Sequence, residues 1–174
     1  MNIFIGSQSH PEHKGKTPIR TLLICTIAFA FVAVPATAKD DPKVSAEVMA
    51  IARAQTAAGI AQKPWAERMA AIADDYTLFN VFAPTRIEGK ANVVSLNMAN
   101  EAGGGKTLAT EMLNPRVQVY GDKAILTFNA YSINQDKDGK TMPGTSKVTR
   151  VYVREGGAWK NVHSHFSAVT PPAN

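Results

Sequence analysis

The sequence predicts an α+β fold in which three helices precede about five strands, with a curved antiparallel sheet wrapping one long helix. Three observations carry this prediction. Apolar residues recur at three- and four-residue steps after Asp41-Pro42, at Val44, Val48 and Ile51. Gly103-Gly104-Gly105 breaks the chain once. Beyond it, hydrophobic residues alternate with period two almost to the end.

Asp41-Pro42 is a helix start, with Asp as cap and Pro in the first turn. The stripe continues to Gln55 with alanines between, until Gly59 stops the helix. Pro64 opens a second, short helix with Trp65, Met69 and Ile72 on one side, closed by Asp74-Asp75. Tyr76 to Phe82 alternates as a strand, and a third helix is expected over Lys90 to Asn100, with Val93, Val94, Leu96 and Met98 as its apolar content. The glycine run lacks the Lys-Ser/Thr ending and following helix of a phosphate loop, so it reads as a flexible link.

Strands are then expected over Thr107 to Leu113, Arg116 to Tyr120 and Lys123 to Asn134, with Gly121-Asp122 turning between the last two. Asp136-Lys137-Asp138-Gly139 is a polar turn, since the further acidic ligands and closing Glu of a calcium loop are missing. Val148 to Arg154 places Arg150, Tyr152 and Arg154 on one face, and Glu155-Gly156-Gly157 supplies the positive-φ positions of a tight hairpin. The return strand, Trp159 to Val169, would carry Trp159, Asn161, His163, His165 and Ser167 on one face, and Val162, Ser164, Phe166 and Ala168 on the other.

Residues 21 to 38, TLLICTIAFAFVAVPATA, carry no charge, follow Lys14, Lys16 and Arg20, and end in Ala36-Thr37-Ala38, the small-x-small form of a cleavage site. They read as a secretory signal peptide over 1–38, with an uncleaved anchor as the competing reading. Cleavage would leave residues 39–174 as a single domain, periplasmic or secreted, with no membrane association. The sole cysteine, Cys25, would leave with the leader, removing disulfides, thiolate metal sites and a cysteine nucleophile. The leader holds three Lys or Arg and one Glu, so the formal charge of +5 falls to +3, too mild an excess to argue for nucleic acid.

Thr149-Arg150-Val151-Tyr152, the turn glycines, Trp159 and Val162-His163-Ser164-His165-Phe166-Ser167 resemble the last hairpin of the association (hub) domain of calcium/calmodulin-dependent protein kinase II. Leu113-Asn114-Pro115-Arg116-Val117 followed by Gly121-Asp122 matches the same family in order and spacing. The resemblance covers about Lys106 to Val169. Before that, Ile87-Glu88-Gly89 lines up. It implies the cone-shaped nuclear transport factor 2-like, SnoaL-like fold, with three N-terminal helices packed in a curved antiparallel sheet, and a homodimer or higher homo-oligomer. Kinase activity is excluded for this sequence, which has no glycine-rich nucleotide loop with strand lysine, no His-Arg-Asp loop and no Asp-Phe-Gly.

The family places its pocket on the faces matching Phe128, Ala130, Arg150, Tyr152 and Phe166. Arg150 is the leading ligand-contacting candidate, because a guanidinium fixed in an apolar wall suits a small carboxylate. An arginine paired internally, or reaching out at the sheet edge, is the plainer alternative. The hub pocket has further arginines at the positions matching Ala130 and Phe166, so a ligand here should be less anionic or differently seated. His163 and His165 form His-x-His, but with no third histidine and no cysteine left in residues 39–174 they are better read with Trp159 and Tyr131 as a subunit interface than as a metal site. No cofactor is implied. The function expected is non-catalytic binding and association. The alternative is a ketosteroid isomerase-like or SnoaL-like enzyme performing acid–base isomerisation, cyclisation or hydrolysis, with Asp75, Tyr76 and Glu88 as candidate catalytic groups.

Overall fold

The computed structural model describes residues 41–169. The expected leader, its cleavage site and Cys25 lie outside the described residues. Helix α1 (Pro42–Ile60) begins as its sequence dictates: Pro42 occupies the first turn and the Asp41 carboxylate accepts the Val44 N–H at 3.0 Å. It ends one residue past Gly59, and Gln62 then takes a positive φ of 51°.

The second helix is one turn, α2 (Trp65–Arg68). Ile72, expected on its apolar side, instead opens strand β1 (Ile72–Phe79), so the strand predicted over 76–82 starts four residues earlier and stops three residues sooner. A single turn nucleates poorly by itself, and burial of Ile72, Tyr76 and Leu78 favours the strand. Asp74 and Asp75 therefore lie within β1, where an irregularity between Ile72 and Thr77 turns both outward. A short β2 (Ile87–Glu88) that the sequence did not announce pairs with β1 and leads through Gly89, at φ 83°, into α3 (Lys90–Ala102).

The four remaining strands are long: β3 (Lys106–Tyr120), β4 (Lys123–Gln135), β5 (Thr141–Glu155) and β6 (Ala158–Ala168). The two strands expected at 107–113 and 116–120 are one strand, kinked where Asn114 takes φ 50° ahead of Pro115. The six strands of the described residues form one sheet in the order β2-β1-β6-β5-β4-β3. Its pairings are antiparallel except β1 with β6, which is parallel, so the sheet is not wholly antiparallel as expected. The tight turn between β5 and β6 holds Gly156 and Gly157 at φ 56° and 85°, as a two-residue hairpin of this kind requires.

Two apolar clusters hold the fold. Val48 and Ala52 of α1, both at 0% exposure, pack with Ala124, Leu126, Phe128, Val148 and Tyr152 on the inner face of the sheet. Met69, Ile72, Tyr76, Leu78 and Val93 form the second, between α2, α3 and β1. Phe166 touches both, and the hollow of the cone opens between them. Among the described residues no helix is long and apolar enough to cross a membrane.

Candidate functional site

The hollow is a cavity of about 570 Å³, walled by α1, α2 and α3 and by β1, β3, β4, β5 and β6. Strand β4 shows how the sequence shapes it. Its inner positions run Ala124, Leu126, Phe128, Ala130, Ser132, Asn134, so the side chains turn from apolar and buried to small and polar along one face. The last four of these line the cavity. Its floor is therefore greasy and its mouth polar.

Arg150 projects from the inner face of β5 into this cavity and is 8% exposed. Its Nη1 donates to Gln55 Oε1 of α1 at 3.1 Å, and its guanidinium carbon sits 5.5 Å from the centre of the Phe128 ring. No carboxylate among the described residues pairs with it. Its Nε and the Tyr152 hydroxyl are sealed from solvent without a partner of hydrogen-bonding geometry among the described residues. Burial pushes the Tyr152 phenol above its usual pKa, against a smaller downward pull from Arg150. Burial raises the Tyr76 phenol as well, opposed by the adjacent Ser164 hydroxyl and then by the Arg150 charge.

Of the residues expected at the pocket, Phe128, Ala130, Arg150 and Phe166 line it, while Tyr152 lies deeper, fully buried beside Arg150. Tyr76 lines it too. Asp75 and Glu88 do not: Asp75 is exposed, and Glu88 pairs with Arg86 on the surface. Neither is placed for acid–base work in the cavity, because β1 and β2 turn them to solvent while Tyr76 and Leu78 of β1 face inward. The lining carboxylate among the described residues is Glu101, held by Arg68, which also bonds the Lys63 carbonyl and stacks 4.4 Å over Trp65.

Trp159 also needs correction. It does not share the outer face with the histidines but is 5% exposed in the core, donating Nε1 to Glu47 Oε2 of α1 at 3.0 Å. The cause is a bulge in β6: Tyr152 opposes Asn161 and Val151 opposes His163, leaving Val162 unpaired and reversing the alternation. His163, His165 and Tyr131 do lie on the outer face, with His163 Nδ1 2.8 Å from Thr77 Oγ1 and Phe79 packed against both imidazoles. Burial holds His163 below its usual pKa, helped by His165 and Arg86. Among the described residues no three His, Cys, Asp or Glu side chains converge as a metal site requires.

Sequence reasoning missed Gln55, Arg68, Glu101 and Ser164 as cavity residues. For Gln55 a signal existed, a polar residue at a stripe position otherwise taken by Val44, Val48 and Ile51. Arg68 and Glu101, 33 residues apart, offered none.

Among the described residues three helices lie against one curved sheet with an open central cavity between them, the arrangement of a nuclear transport factor 2-like protein. A solved nuclear transport factor 2-like superfamily protein from Salmonella enterica shares this fold, with a TM-score of 0.65 and 16% identity over 76% of this chain and 95% of that one. The calcium/calmodulin-dependent protein kinase II hub of S. rosetta does too, at 0.60 and 24% identity over 75% and 99%. The chain belongs to the calcium/calmodulin dependent protein kinase II association domain family, whose pattern matches residues 44–170. A curated relative, the delta subunit of calcium/calmodulin-dependent protein kinase type II from Oryctolagus cuniculus, is 43% identical over 65 residues. That match is 36% of this chain and 12% of the relative, so the chain spans only a small part of the kinase subunit's length.

Proposed function

We propose that this protein is an exported, self-associating binding protein whose cone cavity accepts a small carboxylate. The observation that carries the ligand is Arg150, a guanidinium at 8% exposure in a cavity wall, with a neutral amide as its hydrogen-bond partner. A charge taken out of water without a counter-charge is costly, and an anion entering the cavity would offset that cost. Membership of an association-domain family supports self-association. The outer sheet face supports it too, carrying the half-exposed Tyr131 on β4 and, across β5, the half-exposed Phe79 against His163 and His165, and a homodimer through that face is the assembly proposed. The uncharged run at residues 21–38 supports export to the periplasm or medium.

Binding is favoured over isomerisation or hydrolysis. An acid–base enzyme of this architecture needs a lining carboxylate free to take a proton, and Glu101 is committed to Arg68. A thermal-shift comparison of wild type and Arg150→Ala with acetate, benzoate and cyclohexanecarboxylate tests the reading. At a hundredfold excess over Kd, ligand should stabilise the wild type by about 2.7 kcal/mol. Equal shifts in both proteins would remove Arg150 as the anchor.

A further inference from the structure

Resting on the reading of the cavity as a carboxylate site, we infer that its ligand is a polyhydroxylated carboxylate, a sugar acid whose carboxylate meets Arg150 and whose hydroxyls meet the carboxamides at the mouth. Six carboxamides line the cavity: Gln55, Gln62, Asn80, Asn97, Asn100 and Asn134. A carboxamide both donates and accepts, and so does a hydroxyl, which makes this the matching side chain for a neutral, hydroxyl-rich group.

Four of them have one end occupied by the protein. Gln55 Oε1 takes Arg150 Nη1, Asn80 Oδ1 accepts the Phe82 N–H at 2.6 Å, Asn97 Nδ2 donates to the Val93 carbonyl at 2.8 Å, and Asn134 Oδ1 accepts from Thr107 Oγ1 at 3.0 Å. These bonds fix the amides in place. The opposite end of each has no hydrogen-bond partner among the described residues, and all four side chains are half-buried. Such ends are costly to cover with an apolar ligand, so a site built this way discriminates against an analogue that lacks hydroxyls.

Charge points the same way. At the mouth Arg68 and Glu101 neutralise each other, and Lys106 lies exposed at its edge, which leaves Arg150 as the buried guanidinium without a carboxylate partner. The cavity thus grades from one buried cation among Phe128, Tyr76 and Phe166 to a carboxamide-rich mouth, where the Arg68–Glu101 pair is neutral and the exposed Lys106 stands at the edge. A saccharide carboxylate has the same polarity, with an anionic end, a ring whose C–H face packs on aromatic carbon, and hydroxyls beyond. At about 570 Å³ the volume exceeds what a two- or three-carbon acid would fill.

Calorimetric titration of the full mature chain with D-glucuronate, cyclohexanecarboxylate and D-glucose separates the terms, because the second lacks the hydroxyls and the third the charge. Glucuronate is expected to bind at least about tenfold more tightly than either. Asn134→Leu and, separately, the exposed Asn100→Ala should weaken glucuronate toward the level of cyclohexanecarboxylate without weakening the latter. Equal affinity of wild type for glucuronate and cyclohexanecarboxylate would overturn the sugar-acid inference and leave the carboxylate reading standing. Binding of neither acid would overturn both, and glucose binding as tightly as glucuronate would remove Arg150 from recognition.

Discussion

Replacing Arg150 with methionine should make the protein more stable while it loses its response to carboxylates. The side chain is 8% exposed and lacks a carboxylate partner among the described residues. Its favourable contacts are one hydrogen bond to Gln55, worth about 1.5–3 kcal/mol for a charged donor, and the Phe128 stack at 5.5 Å, worth about 0.5–2 kcal/mol. Against these stands the desolvation of an ion, which amounts to several kcal/mol even after relaxation. Methionine keeps most of the volume and can fill an irregular hollow. The balance favours Arg150→Met by about 1 kcal/mol, or roughly 3–5 °C in Tm for a domain of this size. Calorimetric melts with and without saturating cyclohexanecarboxylate would read both effects. A variant destabilised by more than about 1 kcal/mol that still responds to ligand would refute the reasoning, because Arg150 would then be a structural residue.

Three further outcomes follow from the geometry. Since folding raises the phenol pKa of Tyr76 and Tyr152 above 10.0, these groups leave stability unaffected below pH 10 and erode it as pH climbs from there through their folded values. Melts across pH 8–12 with absorbance at 295 nm should show phenolate appearing together with unfolding, whereas ionisation of both tyrosines in the intact fold would contradict their burial. Gly104→Ala should cost roughly 1–3 kcal/mol by urea titration, because Gly104 sits at φ +89° and a Cβ there would meet Lys137 Cα at 2.8 Å. A neutral effect would mean the α3–β3 link does not take this path. Asp41→Ala should lose about 1 kcal/mol by the same measurement, through the N-cap bond to Val44, and an unchanged midpoint would show that α1 does not need its cap.

Where local chemistry decides the outcome, the sequence was readable. The α1 cap, the inner face of β4 and the Gly156-Gly157 turn follow from residue type and spacing, and the structure has them at the expected positions. The errors fall where distant contacts decide. Val162 is an ordinary strand residue, and only its pairing with β5 makes it a bulge that carries Trp159 and Asn161 inward and His163 outward. Asp74-Asp75 reads as a helix end until burial of Ile72 and Tyr76 on either side pulls the segment into the sheet. The candidate site divides the same way. Arg150 stood out through the family resemblance, as a guanidinium expected beside the apolar face of the neighbouring strand, while the carboxamide mouth draws on α1, α3 and β4 and on the connections after α1 and β1, segments whose proximity no single stretch encodes.

The most direct test observes the guanidinium itself. In ¹⁵N-resolved NMR the side-chain N–H signals of Arg150, assigned through Arg150→Lys, should sharpen and shift saturably as a carboxylate is titrated in, with the same midpoint as the calorimetric isotherm. Signals that stay fixed while the ligand binds would place the anion elsewhere and contradict a cavity organised around Arg150.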